Sequence, residues 1–152
     1  MADYALGPAT PADYTYLREL HRATMKDYVA KTWGWDEDFQ ARYFREHFNP
    51  SGTQIIQVGG ADAGMPSLKV RPSELYLDEI QIAPPQQRQG VGTAIIGDLL
   101  ARARADGAPL ALQVLKVNPA RRLYERLGFV VTGETGTHYL MRADPVPTCW
   151  AS

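Results

Sequence analysis

Apolar positions recur along this chain in two periods, and the switches between them mark its elements. Residues 75–82 are apolar with little polar alternation, which predicts the strongest strand, placed centrally with both faces covered. Shorter β-rich runs predict strands over residues 4–6, 53–58, 64–71, 110–115, 129–132 and 137–142. Gly59 to Asp62, Pro72 to Glu74 and Gly133 to Gly136 supply the turns.

Helical spacing appears four times. Thr10 as N-cap, Pro11 in the first turn and Asp13 facing the dipole open a helix carrying Tyr16, Leu20 and Ala23 on one face, beside Leu17. The pattern dissolves near Tyr28 into Ala30-Lys31-Thr32-Trp33-Gly34-Trp35. Asp36 caps a second helix over 37–48, with Phe39, Tyr43 and Phe44 inward and Arg42, Arg45 and Glu46 outward. A third, over 93–105, buries Ile95, Ile96, Leu99, Leu100 and Ala103 and exposes Asp98 and Arg102. Gly97 in its interior costs about 1 kcal/mol against alanine, which close packing on the sheet would explain. Asp106-Gly107 closes it, and Asn118-Pro119 opens a short fourth helix through Tyr124 to Leu127, ended by Gly128. The order βααβββαβαββ predicts an α/β fold, a mixed sheet of about six to seven strands with about four helices on both sides.

Composition narrows the class. A chain of 152 residues with 45% hydrophobic and 22% charged residues reads as one soluble domain over 1–152, its tail from 145 a loop. A net charge of -1 gives no footprint for nucleic acid, although Arg88, Lys116, Arg121 and Arg122 could serve a small polyanion. Cys149 is the only cysteine, and His21, His47 and His138 lack ligand spacing, so no metal site is expected. No basic-then-apolar leader opens the chain and no apolar run approaches a membrane span, so a cytoplasmic address follows by default.

The chemistry concentrates at Gln87-Arg88-Gln89-Gly90-Val91-Gly92, between the strongest strand and the third helix. Two glycines let the backbone approach a ligand closely, and the helix start behind them offers unpaired N–H groups and a positive dipole end. Such a turn suits phosphates. The Walker pattern is absent, and the dinucleotide fingerprint fails because Ile95 stands where its third small residue belongs. The pattern Gln/Arg-x-x-Gly-x-Gly/Ala is met in full. With Asp78-Glu79-Ile80-Gln81-Ile82-Ala83-Pro84 before it, and Asn118, Tyr124, Gly128 and Phe129 behind, the chain resembles the GNAT superfamily of acyl-CoA-dependent N-acyltransferases, closely over residues 75–130.

That resemblance implies acetyl-CoA as co-substrate, no metal, and direct acetyl transfer to an amine in a ternary complex. It implies that Gln87, Arg88, Gln89, Gly90, Val91, Gly92 and Thr93 hold the pyrophosphate, and that Asn118 meets the pantetheine arm while also capping its helix. Arg121 or Arg122 would meet the 3′-phosphate. Ile80 and Ile82 would line the thioester, a bulge in the strand freeing the Ile82 N–H for the oxyanion. Tyr124 is the candidate acid for the leaving thiolate, being protonated at neutral pH. Glu79 is the candidate base, its pKa raised by burial in the apolar strand, with Asp78 on the opposite face and solvent as the alternative.

On the acceptor side the resemblance places Tyr28, Trp33, Trp35, Asp36 and Glu37 opposite His138 and Tyr139, with Glu79 reaching the same cleft. Aromatic rings with nearby carboxylates suit a cationic amine, on a small molecule or a protein. The two tryptophans equally fit a packing role between helices and sheet. The alternative function is a sensor that binds acetyl-CoA without turnover. The family and symmetry favour a homodimer, with no nucleic-acid or membrane partner.

Overall fold

The computed structural model describes residues 3–145. The expected C-terminal loop lies outside the described residues beyond Pro145, as does Cys149. The elements are β1 (Ala5–Pro8), α1 (Tyr14–Trp33), α2 (Glu37–His47), β2 (Gln54–Val58), β3 (Ala61–Val70), β4 (Leu75–Ile82), α3 (Val91–Ala105), β5 (Leu110–Leu115), α4 (Ala120–Arg126), β6 (Val130–Glu134) and β7 (His138–Ala143). Their order is the one the sequence predicts, with 3-10 turns added at Pro11–Asp13 and Pro84–Gln86. The strands form a seven-stranded mixed sheet in the order β1-β2-β3-β4-β5-β7-β6. Among the described residues no helix is long and apolar enough to cross a membrane.

The chain divides into two compact units. The first runs up to Ser67 and resumes over Glu79–Val91. Its β1 pairs antiparallel with β2 from Ala5↔Gln57 to Pro8↔Gln54, and β2 pairs antiparallel with β3 through Ile56↔Gly64 and Val58↔Ala61. Leu17 and Leu20 of α1 pack with Ile55 and Met65, and Tyr16, Phe44 and Phe48 close over them. The helix start is as predicted: Thr10 Oγ1 accepts from the Ala12 N–H at 3.2 Å, and Asp13 Oδ2 accepts from the Thr10 N–H at 2.8 Å.

Three expectations fail in this unit. Helix α1 continues past Tyr28 to Trp33, since Ala30 and Lys31 are good helix formers and the Thr32 hydroxyl satisfies the Tyr28 carbonyl at 2.9 Å. The stop is Gly34, at φ +84°, whose N–H still reaches the Ala30 carbonyl. On α2, Phe39 and Tyr43 are about half exposed (49% and 51%), so only Phe44 of the predicted inward trio joins the core. The two exposed rings stack on each other, and Tyr43 stacks on His47. The third concerns the end of β4 in this unit, where Glu79 is exposed, so the strand is not covered along its whole length.

The second unit comprises Leu68–Asp78 and the chain from Gly92 onward. β4 runs parallel to β5 over Leu75↔Leu110 to Leu77↔Leu112. β7 runs antiparallel to β5 from Leu110↔Ala143 to Leu115↔His138 and antiparallel to β6, whose register shifts between Val131 and Gly133. The apolar stripe of α3 is buried as predicted, with Ile95 and Ile96 each 1% exposed. Gly97 departs from expectation, since a Cβ there would meet nothing within 4 Å and close packing does not account for it.

Candidate active site

The glycine-rich loop takes its shape from the end of β4. Ile82 closes the strand, Pro84–Gln86 makes a single 3-10 turn, and α3 begins at Val91. Arg88 adopts φ +66° and Gly90 φ +82°, so the backbone turns twice into the left-handed region within three residues. Gly90 accepts this freely, whereas Arg88 has a Cβ and does so at a cost. Gln87, Arg88, Gln89 and Gly90 are exposed, Thr93 is exposed, and Gly92 is half-buried, while Val91 is 2% exposed and anchors the helix start. The first turn of α3 carries no acidic residue that would repel an anion there. Ile80 and Ile82 are half-buried.

In the same unit, β4 turns Gln81 toward α1. Its amide Nε2 donates to Nδ1 of His21 at 3.2 Å, and Gln81 is only 5% exposed. His21 and Trp35 line a cavity of about 260 Å³ with Arg22, Glu37 and Phe44. Burial lowers the His21 pKa, so the imidazole is neutral at pH 7. The Arg22 guanidinium, 2.7 Å from Glu37, is the chief cause holding that carboxyl down at about 2; Lys26 lies 3.3 Å from the same oxygen. The Trp35 indole N–H makes no full hydrogen bond but lends its dipole to Glu37. A second, wider groove of about 680 Å³ is lined by Val29, Trp33, Trp35, Asp36 and Phe39. Trp33 is 61% exposed, so it does not serve as a pin between helix and sheet. Asp36 spends one carboxylate oxygen capping α2 at the Phe39 N–H, 3.0 Å away. Tyr28 is half-buried, its carbonyl held by Thr32.

Glu79 is exposed on β4, so it is not the buried carboxylate that the apolar strand led us to expect. Its place on the strand, two residues before Gln81, aligns the two on one face by the period of a pleated strand.

In the second unit, Asn118 Oδ1 accepts from the Ala120 N–H at 2.9 Å and shapes the entry to α4, one residue earlier than a formal N-cap because Pro119 occupies that position. Tyr124 is buried, edge-on to Phe129 with centroids 5.8 Å apart, and desolvation pushes its phenol up to about 12. The backbone fixes the pair, since the Phe129 N–H donates to the Tyr124 carbonyl at 3.0 Å. Gly128 at φ +103° permits the corner between them. Arg121 lies 3.5 Å from Glu125 and stacks its guanidinium 4.3 Å over the Tyr139 ring, with Lys116 Nζ at 5.4 Å. Protein cations thus already occupy the ring assigned to an incoming amine.

The sequence reading missed the His21–Gln81 pair. Its signal was a polar residue at an apolar position in each element: His21 four residues after Leu17 on α1, and Gln81 between Ile80 and Ile82.

A mixed sheet with a left-handed glycine loop between a strand and a long helix defines an acyltransferase-type α/β fold. A profile of the Acetyltransferase (GNAT) family matches residues 15–129, and the chain belongs to that family. Among solved structures it is similar to PaiA N-acetyltransferase of Thermoplasma acidophilum in complex with coenzyme A, at 16% identity and TM-score 0.76, covering 93% of this chain and 99% of that one. It is also similar to PH1933 of Pyrococcus horikoshii, at 16% identity and TM-score 0.73, with coverage of 95% and 100%. The ribosomal-protein-S18-alanine N-acetyltransferase of Escherichia coli matches at 21% identity and TM-score 0.64, with coverage of 93% and 94%. A search of curated proteins finds no significant match.

Proposed function

We propose that this protein transfers an acetyl group from acetyl-CoA to a primary amine by direct attack within a ternary complex. The observation that carries this reading is the loop from Gln87 to Gly92, in a chain that belongs to an acetyltransferase family. The loop is exposed over residues 87–90, free of acidic side chains and left-handed at Arg88 and Gly90. Its backbone N–H groups and those of Val91, Gly92 and Thr93 suit a pyrophosphate, and Arg88 supplies a positive charge. Asn118 would meet the pantetheine arm and Arg121 the 3′-phosphate.

The amine lone pair attacks the thioester carbonyl carbon, a C–N bond forms and the C–S bond breaks. The backbone N–H of Ile82 would hold the oxyanion, with Ile80 lining the thioester. The proton lost by the amine ends on the departing thiolate. With its phenol at about 12, Tyr124 is protonated throughout the working range. Full transfer from that phenol to a thiolate of ordinary pKa, about 8.5, runs uphill. Tyr124 therefore serves the leaving sulfur as a hydrogen-bond donor, and the amine's own proton completes the thiol. Glu79, being exposed, would take the separate proton that the cationic amine loses before attack and pass it to solvent.

For the acceptor we favour a cationic amine. Trp33 and Trp35 line one groove with Asp36, offering ring faces beside a carboxylate, with Tyr28 on the preceding turns of α1. The deciding experiment offers acetyl-CoA with polyamines, amino acids, aminoglycosides and peptides and follows thiol release. Release with at least one amine is expected. No CoA binding at all would overturn the reading, and binding without release from any amine would favour the sensor.

A further inference from the structure

Two glutamines hold the loop from within. Gln87 Nε2 donates to the Ile82 carbonyl at 2.8 Å, reaching back five residues to the end of β4. Gln89 Nε2 donates to the Pro85 carbonyl at 3.1 Å. Between these two tethers sits Arg88, at the only positive φ of a non-glycine residue among those described. A left-handed arginine is unfavourable on its own and persists where its surroundings over-determine it. The flanking side chains supply that constraint.

We propose that Gln87 is the positioning residue of this loop: its side-chain N–H, given to the Ile82 carbonyl, sets the left-handed turn at Arg88 in the shape that receives a CoA pyrophosphate. The inference rests on the acetyl-CoA reading above. A backbone carbonyl asks only for a donor N–H at the right reach, which an arginine side chain could supply as well as glutamine. On this assignment Gln87 points its donor at the protein, and the charge facing the phosphates belongs to Arg88. Because Ile82 is also the residue whose backbone is proposed to face the thioester, the same bond ties the pyrophosphate loop and the thioester site to one strand terminus.

The test compares Gln87→Arg, Gln87→Met and Gln87→Glu. Calorimetry gives the Kd of CoA, and steady-state kinetics give KM for acetyl-CoA against kcat. Backbone hydrogen exchange at residues 88–92 of the free protein reads the loop without any ligand. Loss of the donor is expected to raise Kd and KM about tenfold in Gln87→Met and Gln87→Glu, with kcat at saturation nearly unchanged and faster exchange at residues 88–92. Gln87→Arg keeps wild-type Kd and slow exchange. Wild-type affinity and exchange in Gln87→Met would overturn the proposal, as would an arginine variant as impaired as the methionine one. If wild-type protein binds no CoA, the acetyl-CoA reading fails. The exchange comparison still decides whether Gln87 shapes the loop.

Discussion

Gln81 on β4 gives its side-chain N–H to Nδ1 of His21 on α1 at 3.2 Å, joining two residues sixty positions apart in the chain. The contact places the proton of the neutral imidazole on Nε2. It satisfies a buried amide that would otherwise lose its hydrogen bonds to water.

Burial lowers the His21 pKa, and this makes stability pH-dependent. The unfolded chain takes up a proton as pH falls through about 6.5, while the folded chain leaves His21 neutral. The unfolded state then binds more protons, so stability declines on acidification until the folded pKa is reached. His138 is lowered by burial as well and acts with the same sign. Urea unfolding between about pH 7 and pH 5.5 should show this decline, with a shallower slope in His21→Gln. An unchanged slope would remove His21 as its source.

Gly64 should not tolerate a side chain. It lies at φ +146°, and a Cβ there would collide with the backbone carbonyl of Gln81 on β4. Neither backbone can yield without breaking the approach that sets Gln81 toward His21. Gly64→Ala is expected to destabilise by about 3 kcal/mol or more, read as a lower denaturation midpoint.

Gly97 should behave in the opposite way. Its added Cβ meets nothing within 4 Å and the residue lies inside α3, so only helix propensity is at stake. Gly97→Ala is expected to stabilise by up to about 1 kcal/mol, with a higher midpoint and an unchanged fold.

Tyr124→Phe removes the proposed donor to sulfur while keeping the ring against Phe129. With a saturating amine from the panel, kcat should fall roughly 100-fold with KM for acetyl-CoA little changed. Because the wild-type phenol lies at about 12, no ionisation of Tyr124 should appear in the kcat profile below about pH 10. Full turnover by the variant would end the donor role.

The element order, the caps at Thr10 and Asp36 and the loop motif at 87–92 were all legible in the sequence, because each is decided by residues within a few positions of one another. Periodicity says which residues share a face; it does not say what covers that face. Tertiary structure therefore decided that Glu79 is exposed in an apolar strand, and that Phe39 and Tyr43 stack on the outside of α2. It also decided which glycines are spatially required, since Gly64 abuts a neighbouring backbone and Gly97 abuts nothing. In the loop the division is sharpest. The glycines foretold a close turn, but the bond from Gln87 to Ile82 and the left-handed Arg88 depend on how β4 ends and where its last carbonyl points.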